Sequence, residues 1–288
     1  MSLMLIKGHY RILNAAPDGD SIKFYPSNPE LWRTLGVRAN SSGGGQLRLE
    51  GIDTLETHYQ PRAQPGSVAL GMLHQPPQFA QGAAKELLKF LGFRTVVRGD
   101  RDRVVSAQPQ QTAGFVLTRF SDMYGRCVAF AFKGNIAQAD GSQVYLDKSL
   151  LRKSANYHML GQGLAYPTYY SKMYPDLRQE ITRAVASARR KGLWTQDKTT
   201  SGFTVKDITA LTERNVILPK LFRRVVDYLA LNDGDLSLGG FRSYLESRKD
   251  RVIILPQGHV TGFDYVVKVT GQRVRLTVSP EQLVFMEK

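Results

Sequence analysis

The chain has 288 residues, a formal net charge of +14, and a hydrophobic content of 42%. This apolar content can fill the core of one large domain, or of a smaller domain with an appendage, and it excludes a disordered polar chain. The single cysteine, Cys127, excludes an internal disulfide and a zinc site built from several cysteines. The basic balance favours polyanions as partners, with nucleic acid as the first candidate.

The amino terminus has no signal-peptide core, and no apolar run approaches the length of a membrane span. We therefore expect no membrane partner. Localisation and oligomeric state are not determined by the sequence. The cytoplasm is slightly favoured, although an export signal trimmed from the amino terminus would make the protein secreted or periplasmic.

The first part of the chain predicts three strands that lead into an acidic loop. Residues 5–13 predict the first strand, and the turn Asp18-Gly19 predicts a second strand that starts at Asp20. The third strand, over residues 47–52, carries Arg48 and ends in the segment Asp53-Thr54-Leu55-Glu56. Insertions at residues 26–46 and 57–78 lie on either side of the third strand.

The following segment predicts a helix and three more strands. The apolar spacing over residues 81–91 predicts a helix that ends at Gly92. Residues 95–97, 115–117 and 127–132 predict strands, with an insertion at residues 98–113. A hairpin turn through Tyr124-Gly125 would place Arg126 at the start of the last of these strands.

Further helices are predicted over residues 149–165 and 175–191, and the composition changes near residue 200. Beyond that point an amphipathic helix is predicted over residues 219–231. Strands follow over residues 251–255, 265–269, 273–278 and 283–285, with a hairpin turn before residue 274. No role for residues 200–288 is apparent from the sequence.

An OB-fold barrel has five strands with a helix after the third, and the order of the strands and the helix predicted up to residue 132 is consistent with this layout. Five motifs in order resemble the staphylococcal nuclease (thermonuclease-like) family over residues 5–197. They are Asp18-Gly19-Asp20-Ser21, Arg48-Leu49-Glu50-Gly51-Ile52-Asp53-Thr54-Leu55-Glu56, Tyr124-Gly125-Arg126, Gly163-Leu164-Ala165 and Gly192-Leu193-Trp194. The resemblance predicts an α+β protein: a five-stranded OB-fold β-barrel with packed helices over residues 1–199, and a smaller C-terminal α+β domain over residues 200–288.

The resemblance also implies a role for each matching residue. Asp20 and Asp53 match carboxylates that bind Ca²⁺, and the carbonyl of Thr54 matches a third ligand. Hard oxygen ligands of this kind suit calcium. Glu56 matches the carboxylate that activates or orients the attacking water. Leu55 departs from the family, which often has proline at this position and so fixes the turn more firmly.

The basic and aromatic residues complete the implied site. Arg48 and Arg126 match guanidinium groups that grip the scissile phosphate, because a planar guanidinium pairs with two phosphate oxygens. Tyr124, Tyr169 and Tyr170 are expected to bind the substrate. The resemblance thus predicts calcium-dependent hydrolysis of DNA or RNA phosphodiester bonds, with little sequence preference and with 3′-phosphate products.

The residues allow other interpretations. Arg48 and Arg126 could pair with Asp53 and Glu56 in a purely structural ion network. The barrel could be a catalytically weak or inactive OB module that binds nucleic acid or protein. A glycosidase based on Asp53 and Glu56 leaves the two arginines and the basic charge unexplained, so we rank it last.

Overall fold

The computed structural model describes residues 2–62 and 70–287, so part of the predicted insertion at 57–78 lies outside the described residues. The elements up to residue 145 are β1 (Ser2–Arg11), β2 (Ser21–Pro26), α1 (Glu30–Thr34), β3 (Gly45–Leu49), β4 (Ile52–Asp53), α2 (Pro77–Leu91), β5 (Thr95–Arg98), β6 (Val104–Gln108), β7 (Gln111–Ser121), β8 (Cys127–Lys133) and β9 (Gln143–Tyr145). The later elements are α3 (Lys148–Leu151), α4 (Ala155–Gly161), β10 (Tyr166–Pro167), β11 (Tyr169–Tyr170), α5 (Pro175–Ala188), β12 (Phe203–Thr204), α6 (Pro219–Leu231), α7 (Phe241–Ser247), β13 (Arg251–Ile254), β14 (His259–Gly262), α8 (Phe263–Val266), β15 (Val267–Thr270), β16 (Arg273–Leu276) and β17 (Leu283–Phe285).

Five strands form a closed mixed barrel. The long strand β1 pairs antiparallel with both β2 and β7, and β7 pairs antiparallel with β8. The ring closes because β3 pairs antiparallel with β2 and parallel with β8. This arrangement confirms the prediction of an OB-like barrel with helices around it.

Strand β8 is the part of the barrel that is covered on both faces. Six of its seven residues, from Cys127 to Phe132, are buried. Helix α4 packs against this strand, and the side chain of Asn156 accepts a hydrogen bond from the backbone of Ala131 at 3.0 Å. A continuous apolar run, rather than an alternating one, is what a strand buried on both faces requires.

The predicted helix over residues 149–165 is two helices, α3 and α4. Each begins at its own side-chain cap: Asp147 accepts from the backbone N–H of Leu150, and Ser154 accepts from that of Tyr157. The prediction of one continuous helix was wrong because the apolar spacing continues across the break. The second cap, at Ser154, starts a separate helix.

The strands after residue 199 lie in two small sheets. One sheet has the strand order β11-β17-β13-β14, and the other has the order β12-β16-β15. The first sheet includes β11, which pairs in parallel with β17. The two regions of the chain therefore share a sheet, and the predicted domain boundary at residue 199 stays a prediction. Among the described residues, no helix combines the length and apolarity needed to cross a membrane.

Candidate active site

One small cavity, of about 70 Å³, collects most of the residues that the motifs single out. It is lined by Asp18, Asp20, Arg48, Asp53, Thr54, Leu55, Glu56, Arg126 and Arg223. Six of the predicted catalytic and metal-binding residues are in this set, and they come from three separate segments of the chain. The structure thus brings the predicted catalytic and metal-binding positions together.

The barrel strands explain how these segments meet. Asp20 precedes β2, where its neighbour Ser21 pairs with Arg48 on β3. The backbone carbonyl of Asp20 also accepts a hydrogen bond of 2.8 Å from Leu49, which ties the loop end to β3. On its other edge β3 pairs with β8, which starts directly after Arg126. The parallel pairing of β3 and β8 therefore brings Arg48 and Arg126 to the same side of the barrel.

The chain turns between β3 and β4 at Gly51, whose φ of +82° lies in the left-handed region. A Cβ at this position would lie 2.7 Å from Cε of Met173, so the turn also needs the missing side chain. Directly after this turn, Asp53 pairs with Tyr166 of β10. This pairing places the Asp53 carboxylate in the interior, where the residue is only 3% exposed.

Short backbone contacts fix the acidic loop. The backbone N–H of Thr54 donates to the Asp20 carboxylate at 3.1 Å. Gln75 is fully buried and makes two hydrogen bonds to the backbone of Glu56. Its side-chain oxygen accepts from the Glu56 N–H at 3.3 Å. Its backbone N–H donates to the Glu56 carbonyl at 2.9 Å. Gln75 could not be singled out from the sequence, because a glutamine in a loop carries no local signal of such a contact.

Two of the three predicted tyrosines flank the arginines. The guanidinium of Arg48 lies 5.5 Å from the ring centroid of Tyr170, and that of Arg126 lies 5.5 Å from the ring of Tyr124. Arg126 is also oriented by Asp122, whose carboxylate accepts from Nε at 2.8 Å and from Nη2 at 2.7 Å. These contacts leave Tyr124 54% exposed beside the site.

Tyr169 does not reach the cavity. It is fully buried, and its hydroxyl is hydrogen-bonded to that of Thr182 at 2.7 Å. The reason is the alternation of side chains along a strand: Tyr169 and Tyr170 are neighbours on β11 and point to opposite faces. Only Tyr170 can therefore face Arg48, and the expectation that Tyr169 contacts substrate does not agree with its place in the core.

The resemblance did not anticipate Arg223, which projects from helix α6. Its Nη2 donates to Asp53 Oδ2 at 2.8 Å, its Nη1 lies 3.4 Å from Asp53 Oδ1, and Nη1 also bonds the Glu56 carboxylate. The arginine and these acids are far apart in sequence, and α6 lies outside the region that resembles the family. The amphipathic pattern of residues 219–231 predicted helix α6, but it did not indicate that a residue on the polar face contacts these acids.

Burial and charge set the protonation of the acids. Burial raises the pKa of Asp20 well above its usual value, and the nearby carboxylates of Asp18 and Asp53 add to this shift. Burial also raises the pKa of Glu56 to about 7, against the opposing effect of Arg223. Burial would raise the pKa of Asp53 too, but Arg223 and Arg48 hold it below its usual value. The site thus combines an ionised Asp53 with a carboxylate that exchanges a proton near neutral pH.

The donor set does not fit calcium while Arg223 is in place. A calcium ion needs six to eight oxygen ligands at roughly 2.3–2.6 Å. Asp53, one of the implied ligands, has both carboxylate oxygens directed at the guanidinium of Arg223. Within residues 2–62 and 70–287, no group of three or more His, Cys, Asp or Glu side chains could hold a metal ion. We therefore derive no reaction step through a metal.

Comparison with known proteins finds no family model and no curated protein that matches the chain. What the site can do therefore follows from its geometry. Two half-buried arginines, a third arginine from α6 and a carboxylate titrating near pH 7 surround one cavity. Such a set can bind an anion and move a proton beside it.

Proposed function

We propose that the protein is a nuclease that hydrolyses phosphodiester bonds of DNA or RNA in this cavity. The observation that carries the proposal is that Arg48, Glu56 and Arg126 line one cavity although they come from separate segments. A phosphodiester is an anion and repels a carboxylate base unless cations stand beside it. The cavity contains both kinds of group, which supports hydrolysis over a purely apolar binding role.

Each residue has a step in the reaction. Arg48 and Arg126 bind the non-bridging phosphate oxygens through their planar donor pairs and follow the charge that grows on them. Glu56 accepts a proton from water as the water oxygen bonds to phosphorus. The bond from phosphorus to the 5′ oxygen then breaks, and that oxygen takes a proton from solvent and leaves as a hydroxyl. The other fragment carries the 3′-phosphate that the family resemblance implies. A carboxylate with a pKa of about 7 suits this transfer at neutral pH.

Substrate contacts predict slight sequence preference. Tyr124 and Tyr170 lie beside the two arginines and offer ring faces on which bases can stack. Stacking and phosphate contacts do not read the edges of bases. Calcium dependence belongs to this proposal only through the family resemblance, which places Ca²⁺ at Asp20, Asp53 and Thr54.

The test is a cleavage assay with single-stranded DNA, duplex DNA and RNA, each in calcium and in chelator. We expect cleavage by the native protein and a severe loss with Arg126→Ala. The matched control is Arg33→Ala, because Arg33 is a surface arginine that pairs with Glu30 and does not line the cavity. Unchanged cleavage by a folded Arg126→Ala protein would remove the site assignment.

A second candidate is an OB module that binds nucleic acid or protein without efficient catalysis. The ion pair between Arg223 and Glu56 favours it, because a carboxylate held by a guanidinium is a weaker base. Nucleic-acid binding without product, in calcium and in chelator, and also in an Arg223→Gln protein, would favour this second function.

A further inference from the structure

Helix α6 brings a cation to the place where the family resemblance puts a metal ion. Arg223 bonds Asp53 through both terminal nitrogens and bonds Glu56 through one of them. Its side chain is 22% exposed, and it lies with the two acids in the wall of the same cavity. One guanidinium therefore pairs with both an implied metal ligand and the proposed base.

Hydrogen bonds to the loop that carries the acids fix the position of α6. The carboxylate of Asp227 accepts from the hydroxyl of Tyr59, at 2.9 and 3.0 Å, and from the backbone N–H of Arg62 at 3.0 Å. Just before the helix, the carbonyl of Ile217 accepts from the side chain of Gln75 at 2.8 Å. Gln75 is the residue that holds the backbone of Glu56. The helix that carries Arg223 and the loop that carries the acids are therefore built as one unit.

A divalent ion and this guanidinium compete for the same carboxylate. Inner-sphere binding of Ca²⁺ by Asp53 needs a carboxylate oxygen turned to the ion. In the structure both oxygens of Asp53 face the nitrogens of Arg223. The cavity, of about 70 Å³, also leaves little distance between two cations, which repel one another.

We propose that Arg223 is a built-in competitor of divalent cations: it takes the cation position at Asp53 and keeps the affinity of the site for Ca²⁺ low. This inference rests on the proposed nuclease function and concerns the regulation of that site. Binding of Ca²⁺ by Asp53 would require the guanidinium to release this carboxylate, so a residue outside the region of family resemblance would set the calcium affinity.

The test is calorimetric titration of Ca²⁺ into the full-length native protein, Arg223→Lys and Arg223→Gln. We expect the Arg223→Gln protein to bind Ca²⁺ about tenfold more tightly or better than the native protein, a coupling of ordinary size. Arg223→Lys should lie between them, because an ammonium cannot bond Asp53 as a fork. If the glutamine variant fails to fold, the order of the native and lysine proteins carries the test.

Two controls assign the effect to this carboxylate. Arg214→Gln alters an exposed arginine, which pairs with Asp207 at 3.2 Å and does not line the cavity, and it should leave calcium affinity unchanged. Adding Asp53→Asn to Arg223→Gln should abolish the gain in calcium affinity. Equal calcium affinity of the folded native and Arg223→Gln proteins, no binding by any of them, or a gain that survives Asp53→Asn would each overturn the inference.

Cleavage is scored separately from this titration. If the affinities follow the expected order while no protein cleaves nucleic acid, the competition stands and the nuclease function fails. If the native protein cleaves and the affinities are equal, the nuclease function stands and the competition fails.

Discussion

Leu55 shows how a residue that departs from the family pattern is accommodated. The family often has proline here, which would fix φ and stiffen the turn between Thr54 and Glu56. In this chain Leu55 is 1% exposed and belongs to the hydrophobic core. Burial of a leucine side chain is worth about 1.5–3 kcal/mol, so packing can hold the turn that a proline ring would otherwise restrict. The packing of Leu55 thus helps to fix the backbone next to Glu56.

Glu56→Gln tests the proposed base. The amide keeps the size of the side chain but cannot accept the proton from water. We expect nuclease activity to fall by about 10²–10⁴-fold, the usual contribution of general base catalysis. Initial cleavage rates should be compared with those of Glu30→Gln, since the Glu30 side chain is 66% exposed on α1. A fall smaller than threefold in a folded Glu56→Gln protein would contradict the role of Glu56.

Glu50 is a buried acid whose charge opposes folding. It is 7% exposed, its Oε2 has no hydrogen-bond partner among the described residues, and its Oε1 lies 3.4 Å from Arg119. Burial raises its pKa from 4.5 to about 7, although Arg119 acts in the opposite direction. The folded protein then holds this proton more tightly than the unfolded chain does. The stability due to the proton is present below pH 4.5 and is lost as the pH rises through 7.

Glu50→Gln removes that titration. Relative to the native protein, we expect the variant to gain about 2–3 kcal/mol more unfolding free energy at pH 8 than at pH 5. Urea unfolding at the two pH values measures the difference, and comparison at each pH cancels the other titrating groups. A constant offset between the two proteins at both pH values would show that the Glu50 carboxyl is not shifted.

At the scale of elements, the spacing of apolar residues predicted the helices and strands whose formation depends on neighbouring residues in the sequence. Helix α6 was predicted at its observed bounds, Pro219–Leu231, because its apolar stripe is local. The strand predicted over residues 265–269 instead begins with the helical turn α8, Phe263–Val266, because tertiary contacts overrode a β-branched run. The contact of Arg223 with Asp53 spans 170 positions and has no local signature at all. The residues of the site that belong to the sequence motifs could therefore be predicted, whereas Arg223 on α6 could not.

Helix α2 offers two glycines with opposite roles. Gly92 ends the helix with φ of +105°, whereas Gly82 lies inside it and a Cβ there would meet no atom within 4 Å. We expect Gly92→Ala to lower the unfolding free energy by about 1 kcal/mol, because alanine is strained in the left-handed region. Gly82→Ala should raise it by about 0.5–1 kcal/mol, because alanine favours the helix interior. Thermal and urea unfolding of the two variants check the signs, and equal signs would contradict the assignment of the helix end.

At the scale of the whole molecule, the net charge is concentrated in one region of the chain, whereas the sheets and the site are built from both regions. Residues 200–288 carry 13 Lys and Arg against 10 Asp and Glu, so most of the net charge of +14 belongs to the barrel region. The architecture is instead shared, because β17 pairs with β11 and α6 contacts the acidic loop. Binding of a polyanion should thus depend mainly on the barrel region, while the shape of the site depends on both regions.

Salt dependence tests this distribution of charge. The affinity for a single-stranded oligonucleotide should fall steeply as salt rises, with a logarithmic slope of about 0.7 for each phosphate neutralised. Arg126→Ala should reduce this slope by about 0.7, because it removes one phosphate contact. Fluorescence anisotropy in chelator, which prevents calcium-dependent cleavage, gives both slopes. If Arg126→Ala leaves the salt slope unchanged, the phosphates of the oligonucleotide bind elsewhere on the surface.

The distance along the chain between Glu56 and Arg223 also orders events during translation. The arginine is made 167 residues after the acid, which at about 5–20 residues per second is a delay on the order of ten seconds or more. During that interval a nascent barrel presents Asp53 and Glu56 without their later partner, and ions from the surrounding solution have first access to them. A newborn chain and a mature one would then hold different cations at the same two carboxylates.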